Sequence, residues 1–381
     1  MCKAGLNWRI CFGVLLLLTA SVVPAAPDKT SGPTILRVSG KLKQGNSLKI
    51  LGSGFGSGGN LMIFDDFETG KEGTPIAMGL GSARLGGWYT TMGRVGYCST
   101  HAVSGNMSLR ADLQFDATSS AWCRFPERTR EVFASWWVRI PKVLPGQGPP
   151  RRICWKHVWV TGKTIRDDAV WVMFGSSSAS LLIGGGSNPV YTHTNWSLEN
   201  RFHHGDWLRM AFYLKGGLTD GQYELELMNP AGFRETFSAK GRTWGGYQGR
   251  DGHGMPMQYE SIGFNAFGRR TPNCYPNYDD CYAAVGPNCR ARVEMGDKPE
   301  YANCKKLAIC GVTRWKTDSA EAIVNLGNLD TRNGLYLFVV DAKGAPSKGY
   351  PIGARKKAPR QVRPAVRVSP TSTTNPSTTK P

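Results

Sequence analysis

An all-β fold built on a large sandwich is the class this sequence predicts, and three observations predict it. Apolar residues recur at every second position in several separate stretches, Gly, Pro, Asn and Asp punctuate those stretches, and no helical periodicity of useful length follows the amino-terminal segment. The clearest stretch is Gly205 to Gly232, GDWLRMAFYLKGGLTDGQYELELMNPAG. There Leu208, Met210, Phe212 and Leu214 alternate with Trp207, Arg209, Ala211 and Tyr213, so one strand face is apolar and the other mixed. Beyond a Gly and Asp turn, Tyr223, Leu225 and Leu227 alternate with Glu224 and Glu226, which makes the pair a hairpin.

In chain order, Lys3 and Arg9 precede the apolar run Val14 to Leu18, and Val23-Pro24-Ala25 supplies small residues at a cleavage position. Residues 1–25 therefore read as a secretory signal peptide, and the expected location is secreted or periplasmic. The apolar run is too short to span a bilayer. Cys2 and Cys11 lie in that segment, and the other eight of the ten cysteines form an even number in an oxidising setting. With no paired CxxC arrangement present, disulfides are expected rather than a cysteine metal site. Cys304 and Cys310 are close enough to close a small loop, Cys274, Cys281 and Cys289 cluster, Cys98, Cys123 and Cys154 lie upstream, and the pairing stays open.

The formal net charge is +19, of which the signal segment carries +2 and the tail from Gly353 carries +7, leaving +10 on residues 26–352. For an exported chain, acidic polysaccharide, lipopolysaccharide or an anionic cell surface is a better counterpart than nucleic acid. The tail, rich in Pro, Ser, Thr and basic residues, has the composition of a disordered segment over residues 353–381.

Residues 33–62 form two short strands around a Gly-Asn turn and end in Gly54-Phe55-Gly56. The segment resembles the opening of an IPT/TIG domain, a small immunoglobulin-like sandwich. A lone hairpin is not stable by itself. Residues 291–352 hold further strands, with Leu335, Leu337 and Val339 alternating with Tyr336, Phe338 and Val340, and resemble the closing half of such a sandwich. The expectation is one split immunoglobulin-like domain, residues 33–62 plus 291–352, interrupted by residues 63–290. That middle part is long enough for one large sandwich. Its hairpin at Gly205 to Gly232, its opening Phe64-Asp65-Asp66-Phe67-Glu68 and its closing Asp279-Asp280-Cys281-Tyr282 resemble the concanavalin A-like jelly rolls of lectins, glucanases and polysaccharide lyases, in which first and last strands are neighbours.

The resemblance implies sugar recognition on a concave sheet face. Placing Ala134, Trp136, Val138 and Ile140 inward turns Ser135, Trp137 and Arg139 outward; placing Val158 and Val160 inward turns Trp155, His157 and Trp159 outward; and Trp171 and Met173 follow the same rule. Trp137, Trp159, Trp171, Arg139, Arg209 and Tyr213 are thus the expected glycan-binding residues, since aromatic faces stack on sugars and guanidinium groups take carboxylate or sulfate bidentately.

A glycosidase needs two carboxylates flanking the bond. The strand motifs E-x-D-x-x-E and E-x-D-x-E of jelly-roll glucanases are absent, and Glu224-Leu225-Glu226 is the nearest approach. A polysaccharide lyase needs a base and a group that neutralises a uronic carboxylate. Tyr213 or His157 with Arg139 and Arg209 supply those types, although the R-x-E-x-R and Q-I-H motifs of alginate lyases are missing. Asp65, Asp66, Glu68 and Asp280, with Asp279, bring carboxylates to adjacent first and last strands and suit a structural Ca²⁺ ion, which takes several oxygen ligands. Three functions follow: a secreted protein that binds polysaccharide at a cell surface, a lyase acting on a uronic-acid glycan, and a structural surface protein that uses the sandwich for protein contacts.

Overall fold

The computed structural model describes residues 32–112, 118–141, 156–162, 169–174, 180–185, 194–197, 205–240, 257–267 and 275–353. The segment read as a signal peptide, Cys154, Trp155, Cys274 and the tail from residue 354 lie outside the described residues. Among the described residues the chain is all-β, as expected, with only two short 3-10 turns, at Tyr301–Asn303 and Thr331–Asn333.

The strands before the first long crossing are β1 (Thr34–Gly40), β2 (Ser47–Ser53), β3 (Asn60–Asp65), β4 (Leu85–Gly86), β5 (Thr90–Met92), β6 (Arg94–Cys98) and β7 (Ser108–Asp112). The middle of the chain carries β8 (Thr118–Thr129), β9 (Glu131–Arg139), β10 (Lys156–Thr161), β11 (Ala169–Phe174), β12 (Ser180–Gly185), β13 (Thr194–Ser197), β14 (Trp207–Lys215), β15 (Gln222–Met228), β16 (Arg234–Lys240), β17 (Tyr259–Phe267) and β18 (Asn277–Val285). The last strands are β19 (Arg292–Gly296), β20 (Leu307–Trp315), β21 (Ser319–Ile323), β22 (Leu335–Val340) and β23 (Tyr350–Ile352).

Two antiparallel sheets make the large sandwich. One, of seven strands, runs β13-β12-β11-β10-β17-β8-β5; the other, of nine, runs β16-β15-β14-β9-β18-β3-β4, with β7 pairing β18 and β6 pairing β7. The period-2 pattern decides which side chains meet between them. Val132, Ala134, Trp136, Val138, Leu208, Met210, Phe212, Leu214, Tyr223, Leu225 and Leu227 come from the second sheet. They share one buried cluster with Ala121, Cys123, Phe125, Val158, Val160, Val170, Val172, Ile262 and Phe264 of the first. Burying this many large apolar side chains, at about 1.5–3 kcal/mol each, is the main favourable term of the fold. The first and last strands of this part are paired, with Phe64 opposite Tyr282 and Asp65 opposite Cys281.

A third sheet joins strands from both ends of the chain in the order β1-β2-β21-β20-β19-β22-β23. β20 pairs with β19 through Leu307 to Cys310 and with β21 from Gly311 onward, so this sheet curls around its own core. Leu48 and Ile50 of β2 meet Val293 and Met295 of β19 and Leu335, Leu337 and Val339 of β22 there. Its other face packs against the large sandwich. The approach is close: a Cβ on Gly311 would lie 2.3 Å from the Phe64 ring.

The cysteines depart from expectation. All six described ones, Cys98, Cys123, Cys281, Cys289, Cys304 and Cys310, are free thiols and buried. Packing on opposite sides of the curled sheet explains the unclosed Cys304 to Cys310 loop. Cys310 faces the core of the curled sheet with Ala308, whereas Cys304 packs with Leu307, Met228 and Phe338 on the opposite side. Cys281 and Cys289 are separated in the same way, one inside the large sandwich and one at the junction between the sheets.

Candidate functional site

The expected glycan platform is split between two sheets, and most of it is closed. Arg209, Tyr213 and Trp137 do turn away from the sandwich core, as the alternation requires, but the face they occupy is where the curled sheet packs. Phe133, Ala211, Tyr213, Tyr282 and Phe64 form a buried cluster with Cys289 and Ile309. Arg209 is 1 % exposed, and its Nη1 and Nη2 donate to Glu226 Oε1 at 3.1 Å and Glu294 Oε1 at 2.9 Å. Arg292 Nε donates to the same Glu294 oxygen at 2.9 Å, and the Tyr301 hydroxyl donates to Glu294 Oε2 at 2.6 Å. Burial alone would raise the Glu294 carboxyl; the Arg292 and Arg209 charges and the Tyr301 bond outweigh it and hold the group at about 2. Tyr213 donates to Glu131 Oε2 at 2.7 Å beneath the Arg290 guanidinium, and burial pushes its phenol upward. Trp137 is 1 % exposed.

The residues assigned to lyase chemistry do not share a cleft. His157 sits inside the large sandwich against Trp136, because a bulge between Lys156 and Val158 turns it inward, and burial lowers its imidazole to about 3. Arg139 is half-buried and donates through Nε to the Gly205 carbonyl at 2.9 Å. Tyr213 and Arg209 belong to the junction. The pairing expected for proton abstraction is therefore absent among these four.

The carboxylates of the first and last strands do come together, and protein donors take most of their oxygens, Asp66 Oδ2 and Asp280 Oδ2 being without a hydrogen bond among the described residues. Asp65 accepts from the Trp88 indole at 2.7 Å and from Phe67 N at 3.0 Å; Asp279 accepts from Val103 N at 2.7 Å; Asp280 accepts from the Ser104 hydroxyl at 2.6 Å. Glu68 points elsewhere and accepts from Asn106 N and Met107 N at 2.8 and 2.7 Å. Asp66 Oδ2 has Arg84 Nε at 3.7 Å. Burial raises Asp65 and Asp280 to about 7 and lifts Asp279 well above its ordinary range. The backbone is left-handed at Phe67 (φ 57°) and Asp280 (φ 48°), an uncommon conformation that side-chain bearing residues keep only when their surroundings enforce it. Among the described residues, no group of three His, Cys, Asp or Glu side chains could hold a metal ion.

An open recess lies instead at the β5 edge of the seven-stranded sheet of the large sandwich. β8 there alternates Ala121, Cys123 and Phe125 into the core with Trp122 and Arg124 on the outer side. Trp122 lies flat over Gly263 of β17, where a Cβ would be 2.6 Å from the indole, so this strand position requires glycine. The indole is held by Nε1 donating to Ser120 Oγ at 2.7 Å and by an edge-to-face contact with Trp159 at 6.1 Å. Trp159 keeps its outward position but is 9 % exposed. Trp171 is its register partner on β11. Tyr89 N bonds the Trp122 carbonyl at 2.7 Å, and this places the Tyr89 ring, 56 % exposed, at the rim.

Two lobes make up the recess. One, of about 270 Å³, is lined by Tyr89, Thr90, Met92, Trp122, Thr161 and Ser261, with the Thr161 and Ser261 hydroxyls 2.7 Å apart. The other, of about 450 Å³, is lined by Phe125, Pro126 and Arg128. Arg124 and Glu260 line both. Arg128 Nε pairs with Glu260 Oε1 at 3.1 Å, while Arg124 Nη1 donates to the Tyr89 hydroxyl at 3.2 Å with its guanidinium 5.3 Å from that ring. Aromatic walls, hydroxyls and a cation in one concave place suit an amphipathic, hydroxylated ligand. The sequence reading passed over Tyr89, Trp122, Arg124 and Ser261. The alternation Ala121, Cys123 and Phe125 against Trp122 and Arg124 was the available signal; the meeting of β5, β8, β10 and β17 left none.

No family model matches the chain, and no curated protein matches it. Solved structures similar in shape include a PL-14 alginate lyase from Aplysia kurodai (10% identity, 52% of this chain and 90% of that one, TM-score 0.38), peanut lectin (10%, 50% and 91%, TM-score 0.32) and lectin I-B4 from Griffonia simplicifolia (10%, 50% and 93%, TM-score 0.33).

Proposed function

We propose that this protein binds carbohydrate, holding a polysaccharide in the two-lobed recess at the β5 edge of the large sandwich. The observation that carries the reading is the recess itself, where the Tyr89 ring, the Trp122 wall and the Thr161 and Ser261 hydroxyls line one lobe and Arg124 joins it to the next. Sugar rings offer an apolar C–H face to an aromatic plane and hydroxyls to polar partners, and this lining provides both. A glycan array probed with the full chain, followed by Tyr89→Ala, tests it. The Tyr89 side chain is 56 % exposed, so its truncation should leave the fold intact while retention falls. Equal retention by parent and variant on every hit would move the site away from this recess.

One contact favours a lyase as the second reading: Arg124 donates to the Tyr89 hydroxyl, setting a phenol beside a cation in the recess. Action on a uronide creates an unsaturated sugar that absorbs in the ultraviolet, and a binder produces none.

The same proposal includes export, to a secreted or periplasmic location, supported by the amino-terminal pattern of Lys3, Arg9 and the apolar run that follows. It also reads the curled sheet as an IPT/TIG-like domain, on the Gly54-Phe55-Gly56 resemblance. A structural calcium stays in the proposal as a thermal test. Millimolar Ca²⁺ should raise the melting temperature and chelator lower it, and superimposable melting curves remove the ion.

A further inference from the structure

Arg124 and Arg128 of β8, and Arg130 just beyond it, are not alike in their surroundings. Arg128 pairs with Glu260 at 3.1 Å, and Arg130 pairs with Asp220 at 2.8 Å. Arg124, exposed and shared by both lobes, has no carboxylate within ion-pair distance among the described residues. Its guanidinium is oriented by a neutral group, the Tyr89 hydroxyl, and by the Tyr89 ring. A guanidinium held in place by a phenol keeps most of its five donors for a ligand, and its planar fork matches the two oxygens of a carboxylate or sulfate. Among the described residues of the lining, Glu260 is the one acid and Arg128 already engages it, so these residues carry one uncompensated positive charge at the junction of the lobes.

Resting on the carbohydrate reading above, we infer that Arg124 is the specificity-determining residue of the recess. It takes the carboxylate or sulfate of a single anionic sugar at the junction, while the flanking sugars sit in the lobe of Tyr89, Trp122 and Ser261 and in the lobe of Phe125 and Arg128. The preference for acidic glycan then comes from one placed cation and not from the net charge of +19 spread over the chain. A charge distributed over a surface attracts any polyanion, whereas a fork at one position requires an anion at one position along the glycan.

The test uses the full chain and three probes of equal length: an oligogalacturonate, its methyl ester, and a sulfated neutral oligosaccharide. The parent should bind the uronate or the sulfated probe at least tenfold more tightly than the ester, and whichever is preferred identifies the anion. Arg124→Gln should collapse that preference by roughly 10- to 100-fold. Arg124→Lys should restore part of it, since an ammonium supplies charge without the fork. Arg37→Gln, on β1 of the curled sheet, should keep the parent's preference. If the parent binds the ester as tightly as both the uronate and the sulfated probe, or if Arg124→Gln keeps the preference, the inference is overturned and the carbohydrate reading stands. A parent that binds none of the three probes and no array glycan overturns both.

Discussion

Buried charge sets the behaviour of single residues here, and its sign differs between two places. Asp65 and Asp280, raised to about 7 by burial, bind more protons folded than unfolded across the window from their ordinary value up to about 7. Stability should therefore fall as pH rises through that window. Glu294, held at about 2 by Arg292 and Arg209, has the opposite effect, and its contribution is lost as pH falls from about 4.5 toward 2. The expected outcome is a stability maximum at about pH 4, where the two windows meet, read from denaturant midpoints at a series of pH values. Asp280→Asn should flatten the upper slope, and an unaltered slope would assign it to other groups. Glu294→Ala leaves Arg209 and Arg292 buried without their shared acceptor and should cost about 3–5 kcal/mol, measured in the same titrations.

Among the elements, β8 and β9 illustrate how one rule gives two outcomes. Both alternate core residues with outward ones, yet outward on β9 means toward a closed face and outward on β8 means toward the recess. Trp137→Ala should therefore act on stability, by about 3–5 kcal/mol, and leave glycan retention per folded molecule unchanged. Gly263→Ala on β17 should do the reverse in emphasis. The added methyl meets the Trp122 indole at 2.6 Å and must displace it, so retention should drop more than the melting temperature. Comparable loss of retention from both variants would contradict the assignment of the two faces.

On the scale of the molecule, the curled sheet and the large sandwich are joined by a buried junction containing Phe64, Phe133, Tyr213, Tyr282 and Ile309 together with the Arg209, Arg292 and Glu294 network. A segment of residues 60–285 made alone would expose that face. It should be less soluble than the full chain and melt at a lower temperature, and the full chain should unfold in one calorimetric transition. Two separate transitions would show the junction to be weak. The six buried thiols give a further whole-molecule readout. Alkylation in denaturant without reductant should label Cys98, Cys123, Cys281, Cys289, Cys304 and Cys310, and labelling only after reduction would establish disulfides instead.

What the sequence determined by itself was local. Leu208, Met210, Phe212 and Leu214 had to face one way and Arg209 and Tyr213 the other, because side chains of a strand alternate regardless of what lies beyond them. The same rule put Trp136 and Val138 in the core and Trp159 outside it, and among the described side chains it failed at His157, where a bulge breaks the alternation. Tertiary structure alone decided which outward faces meet solvent. Whether Arg209 binds a glycan or Glu294 depends on a strand 85 residues away in the chain, and alternation carries no information about partners at that separation. For the same reason Tyr89, Trp122, Thr161 and Ser261, from four strands or their flanks, became one recess only when β5, β8, β10 and β17 lay side by side.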